Sequence, residues 1–219
     1  MKKQFSITAL TFLFMMVANL SFGQNKLGVR FFQGFQNQAT ESQYLVGPQN
    51  TVDYKLELGQ ISNSQTVGLF SQFEFGFLYF QPEFLYTRYS VSYELEDFSA
   101  ESGTELSTIV ENRQQFDVPV NAGVKFKGFR IGGGPIFHFA QEFESNFTDF
   151  SNITLQKKDI SAGFQGSLGY DWSVFHFDLR YQTDFNSVTD HLRFSQRGLK
   201  TKANTSSVQL GVAVALGRK

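Results

Sequence analysis

Eight segments of this chain alternate apolar and polar residues with a period of two, and the connections between them are by turns short and long. Period-two alternation marks a strand with one apolar face, which confines the chain to antiparallel β-architectures. From 26 to 36, Leu27, Val29, Phe31 and Phe35 share one side, with Gly28, Arg30 and Gly34 on the other. From 66 to 75, Val67, Leu69, Phe73 and Phe75 oppose Gly68, Gln72 and Glu74. Gly76 turns the chain, and 77–89 returns with Leu78, Phe80, Phe84 and Tyr86 against Gln81, Glu83 and Thr87. A second hairpin joins 115–126, alternating Phe116, Val118, Val120, Ala122, Val124 and Phe126 with Asp117, Asn121, Gly123 and Lys125, to 129–139 across Lys127 and Gly128. A third pairs 160–170 with 174–182 across Asp171, Trp172 and Ser173, its polar side carrying Ser161, Gln165, Ser167, His176, Asp178 and Arg180. The last strand, 207–216, alternates Val208, Leu210, Val212, Val214 and Leu216 with Gln209, Gly211, Ala213 and Ala215.

Three connections are a few residues long, while those at 37–65, 90–114, 141–159 and 183–206 are long. In an up-and-down meander this places every long loop at one end and every short turn, with both termini, at the other. Transmembrane β-barrels have that asymmetry, and strands of about 9–11 residues cross the hydrocarbon when tilted. The expected fold is an all-β, eight-stranded antiparallel up-and-down transmembrane β-barrel.

A leader precedes it: Lys2 and Lys3, an apolar run from Ile7 to Val17, and small residues at Ser21 and Gly23 read as a signal peptide over 1–23. The barrel domain is then 24–219. Without Lys2 and Lys3 the chain holds 17 basic and 20 acidic residues, a formal net charge of −3, which does not suggest a nucleic-acid partner. Cysteine is absent, so neither disulfides nor thiolate chemistry is expected.

Alternation alone does not say which face meets lipid, since a soluble exported barrel of the lipocalin kind has the same pattern with apolar residues inside. Glycine, alanine and serine crowd the polar side, as suits a narrow lumen. Aromatics on the apolar side sit near strand ends: Phe75, Phe77, Phe126, Phe129, Tyr170 and Phe175 by the short turns, and Phe35, Tyr86, Phe139 and Tyr181 by the loops. Those are candidate girdles at the two interfaces, so the apolar face is expected outward.

The run Leu78-Tyr79-Phe80-Gln81-Pro82-Glu83-Phe84-Leu85-Tyr86 resembles the QPELLY strand of the PorT-like outer-membrane β-barrel family common in Bacteroidota. Gly132-Gly133-Gly134-Pro135 and Phe177-Asp178-Leu179-Arg180-Tyr181 are similar to that family's fifth and seventh strands, in the same order over nearly the whole mature chain. Such barrels often end on an aromatic residue, whereas this sequence ends Leu216-Gly217-Arg218-Lys219. The resemblance, shared more broadly with OmpA/OmpX-like barrels, implies an outer-membrane location and a link to protein secretion.

The polar side gathers four cationic residues, Arg30, Lys125, Arg130 and Arg180, and four anionic ones, Glu74, Glu83, Asp117 and Asp178. Equal numbers of each sign favour mutual pairing over a selective pore, which would show a ring of one sign. The expectation is a side-chain-plugged lumen in a protein with a structural, surface-interaction or secretion-associated role. A small passive pore is the alternative, and an outer-membrane enzyme that modifies lipid A or cleaves protein is a third reading. Glu74 and Glu83 on neighbouring strands have the residue types of an acid–base pair, but beside arginines they read as structural. His138, His176 and His191 lack metal-ligand spacing, and no nucleophile elbow, phosphate loop or HExxH motif appears. Neither catalysis nor a cofactor or metal is expected. Among the loops, 90–114 is acidic (Glu94, Glu96, Asp97, Glu101, Glu105, Glu111) and 183–206 basic (Arg193, Arg197, Lys200, Lys202). The two are expected to attract one another, or the basic loop to meet lipopolysaccharide phosphates. Expected partners are therefore outer-membrane lipid and lipopolysaccharide, with envelope or secretion-system proteins, around a monomeric barrel.

Overall fold

The computed structural model describes residues 25–37, 42–46, 52–98, 105–140, 153–155, 160–187, 192–194, 197–198 and 204–216; the leader lies outside them. Thirteen strands occur among these: β1 (Asn25–Asn37), β2 (Ser42–Val46), β3 (Val52–Ile61), β4 (Ser64–Phe75), β5 (Leu78–Asp97), β6 (Glu105–Phe126), β7 (Phe129–Ala140), β8 (Ile153–Leu155), β9 (Ile160–Trp172), β10 (Phe175–Ser187), β11 (Leu192–Phe194), β12 (Arg197–Gly198) and β13 (Asn204–Ala215). Eight of them close a ring. β1, β4, β5, β6, β7, β9, β10 and β13 each pair antiparallel with their neighbours in chain order, and β13 returns to β1 with Val29 opposite Val214 and Phe35 opposite Val208. Closure leaves no edge within the barrel.

Two-residue turns join β4 to β5, β6 to β7 and β9 to β10. Each opens on a residue with positive φ: Gly76 (63°), Lys127 (49°, followed by Gly128 at 89°) and Ser173 (58°). Such turns match the right-handed twist of the flanking strands, which is why these connections are the short ones. Asp171 and Trp172, read as turn residues in the sequence, belong to the end of β9.

Phe31, Phe35, Val67, Phe80, Val124, Ile131, Leu168, Leu179 and Leu210 are exposed on the outside of the ring, and Arg30, Gln72, Gln81, Glu83, Asn121, Arg130, Gln165 and Arg180 are buried inside it. A barrel with an apolar interior is therefore excluded. Phe75, Phe77, Phe126, Phe129 and Trp172 ring the end with the short turns, each more than 60% exposed. Large apolar side chains left in contact with the surroundings on every strand are stable only where those surroundings are hydrocarbon.

β5 and β6 depart from the sequence reading, which ended them near Tyr89 and Gln115. They run for 20 and 22 residues, about twice what a bilayer crossing takes, and pair without interruption from Leu85 opposite Asp117 to Asp97 opposite Glu105. Beyond Tyr86 the polarity of β5 inverts, while on β6 Leu106 and Val110 remain exposed outward and Glu111 is buried inward. On β5 the lumen-side parity continues as Val91, Tyr93 and Leu95, all fully buried, while Arg88, Ser90, Ser92, Glu94 and Glu96 take the outward positions. β3 joins this extension through β5, and β2 joins β3, so a four-stranded sheet β2-β3-β5-β6 stands beyond the barrel rim. Tyr54, Leu56 and Ile109 complete its buried face. Polar residues outward and apolar residues inward are what water demands, so the inversion between Tyr86 and Arg88 marks the edge of the hydrocarbon. At that edge Tyr86 donates its hydroxyl hydrogen bond to Gln114 at 2.9 Å, as tyrosine does at a membrane interface.

The acidic residues expected in a loop thus lie mostly on strands: Glu94, Glu96 and Asp97 on β5, Glu105 and Glu111 on β6, with Glu101 outside the described residues. Glu111 is buried and pairs with Arg113 at 2.8 Å. Burial lowers the Arg113 pKa, but the coulombic pull of Tyr93, Tyr89 and Glu111 outweighs it and leaves it raised. Burial pushes the Tyr93 hydroxyl, an acceptor from Arg113 at 2.7 Å, far above its ordinary range. In the basic connection, β11 and β12 form a small sheet with β8 from the connection after β7.

Candidate functional site: the sealed lumen and its outer mouth

All eight residues read as a lumen charge network point into the barrel, and the structure arranges them in three layers. The middle layer centres on Glu83, which is fully buried. Its carboxylate accepts two hydrogen bonds from Arg180, at 2.9 and 2.6 Å, and others from Arg30, Gln81 and, at 3.2 Å, Asn121. Glu83 on β5 and Arg180 on β10 stand four strands apart in a ring of eight, so this bidentate pair crosses the full bore. Asp178 ties the rest together, accepting from Arg30 at 2.9 Å and from Arg130 at 3.0 Å. A buried ion lacking a partner costs several kcal/mol, so a network of this kind is stable only when its members satisfy one another.

The layer by the short turns holds Lys125 between Glu74 (2.8 Å) and Asp171 (2.7 Å), with Lys26 on Glu74 at 2.8 Å and Arg130 on Asp171 at 2.7 Å. His176 places Nδ1 3.0 Å from Asp171. The outer layer is built on Asp117, which accepts from Thr87 and, at 2.8 Å, from Gln115. His138 Nδ1 lies 2.7 Å from Asp117 and its Nε2 3.1 Å from Asp184. Lys26, Asp171, His138, His176 and Asp184 are the members of these layers that the sequence reading had not assigned to a network. Asp171 and Asp184 fall outside the strand limits it drew, and the histidines had been weighed only as metal ligands. Among the described residues no group of three or more His, Cys, Asp or Glu side chains converges as a metal site would require.

Three aromatics in the lumen break the simple rule of polar inside. Phe32, Phe70 and Tyr79 are buried there, each directly opposite a glycine on a neighbouring strand: Phe32 with Gly211, Phe70 with Gly28, Tyr79 with Gly123. A Cβ at Gly211 would meet the Phe32 ring at 2.1 Å, and one at Gly28 the Phe70 ring at 2.4 Å. The glycines are thus sockets for rings, not only relief for a narrow bore. The rings in turn carry the arginines: Arg180 lies over Phe32 at 4.2 Å, Arg30 over Phe70 at 4.6 Å and Arg130 over Tyr79 at 5.8 Å. The cation–π contact helps to hold each guanidinium while its N–H groups pair with carboxylates.

At the outer layer is a cavity of about 30 Å³ lined by side chains of β1, β3, β4, β5, β6, β10 and β13, among them Gln36, Thr87, Asp117, Gln182, Asp184 and Gln209. It has room for one or two waters. Of the basic residues proposed to touch lipopolysaccharide, Arg193 lies on β11 and Arg197 on β12, while Lys200 and Lys202 are outside the described residues.

No family model matches the sequence, and no curated protein does. Among solved structures, the outer membrane protein OprG of Pseudomonas aeruginosa is 11% identical, with 89% of this chain and 95% of that one covered and a TM-score of 0.41. The outer membrane protease OmpT of Escherichia coli is 10% identical, with 90% and 98% covered and a TM-score of 0.39. The translocator domain of the autotransporter NalP from Neisseria meningitidis is 10% identical, with 97% and 96% covered and a TM-score of 0.35. At such identities and scores none of their activities is carried over. The closed ring, its apolar exterior and its ion-paired interior define an outer-membrane type of β-barrel on their own.

Proposed function

We propose that the protein is a non-conducting outer-membrane barrel that holds a rigid β-sheet outside the membrane for contact with another envelope or secretion-system protein. The observation that carries this reading is the 20- and 22-residue pair β5 and β6, which projects about 30 Å of paired strand, at ~3.3 Å per residue, beyond the point where β5 inverts its polarity. A barrel serving only to span the membrane has no use for it. Across the sheet's outward face runs a register-matched row of Tyr44, Lys55, Glu96 and Leu106, with Lys55 3.3 Å from Glu96. The resemblance of the Gln81-Pro82-Glu83 strand to PorT-like barrels supports a secretion-associated version, and the crossing of the bore by Glu83 and Arg180 argues against a passive pore. Export by the N-terminal leader, a monomeric barrel and contact of Arg193, Arg197, Lys200 and Lys202 with lipopolysaccharide belong to the same proposal. Neutralising those four residues should weaken lipopolysaccharide binding by the detergent-solubilised protein.

Two measurements test it. In planar bilayers the inserted protein should give no steady single-channel current; a stable conductance would refute the sealed lumen. In intact outer membranes, a photo-crosslinking residue at Thr108, on the outward face of the sheet, should capture a discrete protein partner that the same residue at lipid-facing Leu179 does not. Equal capture at both positions, or none at Thr108, would refute the display role.

A further inference from the structure

Just past the hydrocarbon edge, three outward side chains stand in one row across neighbouring strands: Gln65 on β4 opposite Arg88 on β5, and Arg88 opposite Gln114 on β6. All three are exposed. The amide carbonyls of this row already act as acceptors. Gln65 Oε1 takes hydrogen bonds from Arg88 Nη2 at 2.9 Å and Nε at 3.3 Å, and Gln114 Oε1 takes one from the Tyr86 hydroxyl at 2.9 Å. Two residues farther out on β6, Asn112 Oδ1 accepts from Ser90 Oγ at 2.7 Å. With the oxygens engaged in this way, the NH₂ groups of Gln65, Gln114 and Asn112 are the ends of these side chains left without a partner among the described residues. Arg88 keeps its Nη1 group and the second N–H of Nη2 uncommitted, and no carboxylate among the described residues pairs with it. The wall here presents N–H donors around one cation that has no ion pair. Directly beneath, on the hydrocarbon side, runs an apolar row in the same register, Val67 opposite Tyr86 and Tyr86 opposite Phe116.

We propose that this row binds a phosphate group at the level of the lipid headgroups. A guanidinium fork matches phosphate oxygens two at a time, and amide N–H groups serve the oxygens that remain. A cation is repelled by Arg88. Two sources present this chemistry, the phosphorylated headgroup of an outer-leaflet lipid and free phosphate. The apolar row beneath favours the lipid, because a phosphate attached to an acyl chain meets Arg88 with its head and Val67, Tyr86 and Phe116 with its chain. The site lies on the barrel wall and uses none of Arg193, Arg197, Lys200 or Lys202, the basic residues assigned above to lipopolysaccharide.

The full chain, refolded in phosphate-free maltoside micelles, is titrated by isothermal calorimetry with lauroyl glycerol phosphate, with uncharged lauroyl glycerol and with inorganic phosphate. The expected result is binding of the lipid phosphate, with the other two weaker by about tenfold or more; inorganic phosphate binding as tightly as the lipid would support the site with its phosphate drawn from solution. Arg88→Gln should weaken binding by about tenfold or more, the scale of a charge-assisted hydrogen bond. Gln114→Glu, which keeps an acceptor for Tyr86 and sets a carboxylate beside Arg88, should weaken it as well. Lys127→Asn, which removes an exposed cation from the opposite rim, should leave it unchanged. Heat-modifiable gel mobility confirms that each variant is folded. The four basic residues are intact in Arg88→Gln, so binding lost there belongs to the wall. No binding of the lipid phosphate below about 1 mM, equal binding of lauroyl glycerol, wild-type affinity in folded Arg88→Gln, or the same loss in Lys127→Asn would overturn the proposal, and none of these results bears on the basic connection or on the display of the outer sheet.

Discussion

Glu83→Met tests the plug most sharply, because five hydrogen bonds converge on the carboxylate it removes. Arg30 retains Asp178 at 2.9 Å, but both hydrogen bonds from the Arg180 guanidinium end on Glu83, and its ion pair is with the same carboxylate. The substitution therefore leaves a fully buried cation whose remaining contact among the described residues is the Phe32 ring. Removing one partner of a buried pair costs about 3–5 kcal/mol, whereas replacing both by apolar groups is often nearly neutral. Glu83→Met and Arg180→Met should each destabilise the barrel by roughly that amount, and the double variant by less than either alone, a coupling of about 3 kcal/mol or more. The assay is urea unfolding of the refolded protein in micelles, followed by fluorescence of the single tryptophan. Trp172 is 63% exposed on the barrel's outer surface beside the short turns and so reports loss of its apolar surroundings. Single costs that add to within about 0.5 kcal/mol would refute the claim that Glu83 and Arg180 close the bore as one unit.

The hydrocarbon edge between Tyr86 and Arg88 predicts a contrast between two exposed apolar positions. Leu179→Arg, on the lipid face with Leu168 and Leu210 on either side, should cost about 2–4 kcal/mol, while Val110→Arg on the sheet beyond the rim should cost less than about 1 kcal/mol, both by urea unfolding. The glycine sockets predict that Gly211→Leu, which drives a side chain into the Phe32 ring, destabilises by about 1–3 kcal/mol, and that adding Phe32→Ala recovers part of the loss. The same unfolding experiment checks this; full additivity would show that the ring does not occupy the socket.

The eight strands and three tight turns were legible because one physical rule, apolar to lipid and polar to the lumen, governs most of the band from Phe75 to Tyr86 and its counterparts, lumen-side Tyr79 and Leu85 excepted. The outer halves of β5 and β6 were not. On β5 the rule reverses there, so a reading that follows one apolar parity stops where Tyr86 gives way to Arg88, although the strand continues for nine more residues to Asp97. The burial of Val91, Tyr93 and Leu95 is visible in sequence only if the parity is allowed to change sides. Charged residues within the alternating strands could be put on the polar parity from the sequence, whereas Asp171 and Asp184, just past the limits of the alternation, could not. The pairing of the charges was not legible either, since Glu83 and Arg180 are 97 residues apart in the chain and meet only when the ring closes. The signal for Phe32, Phe70 and Tyr79 lay in register, an aromatic opposite a glycine, which requires the strand pairing to be known first.

The most direct test of the account is a nitroxide scan of β5 by electron paramagnetic resonance. The chain has no cysteine, so single-cysteine variants from 78 to 97 carry the label without background. In lipid vesicles, collision with oxygen should rise and fall with a period of two, highest at positions 78, 80, 84 and 86. From 88 to 96 the same parity should become accessible to a water-soluble nickel reagent instead, with 91, 93 and 95 protected from both. Oxygen maxima at 79, 81, 83 and 85, or nickel access along the even positions from 78 to 86, would contradict a barrel that meets lipid with its apolar face and stands its outer sheet in water.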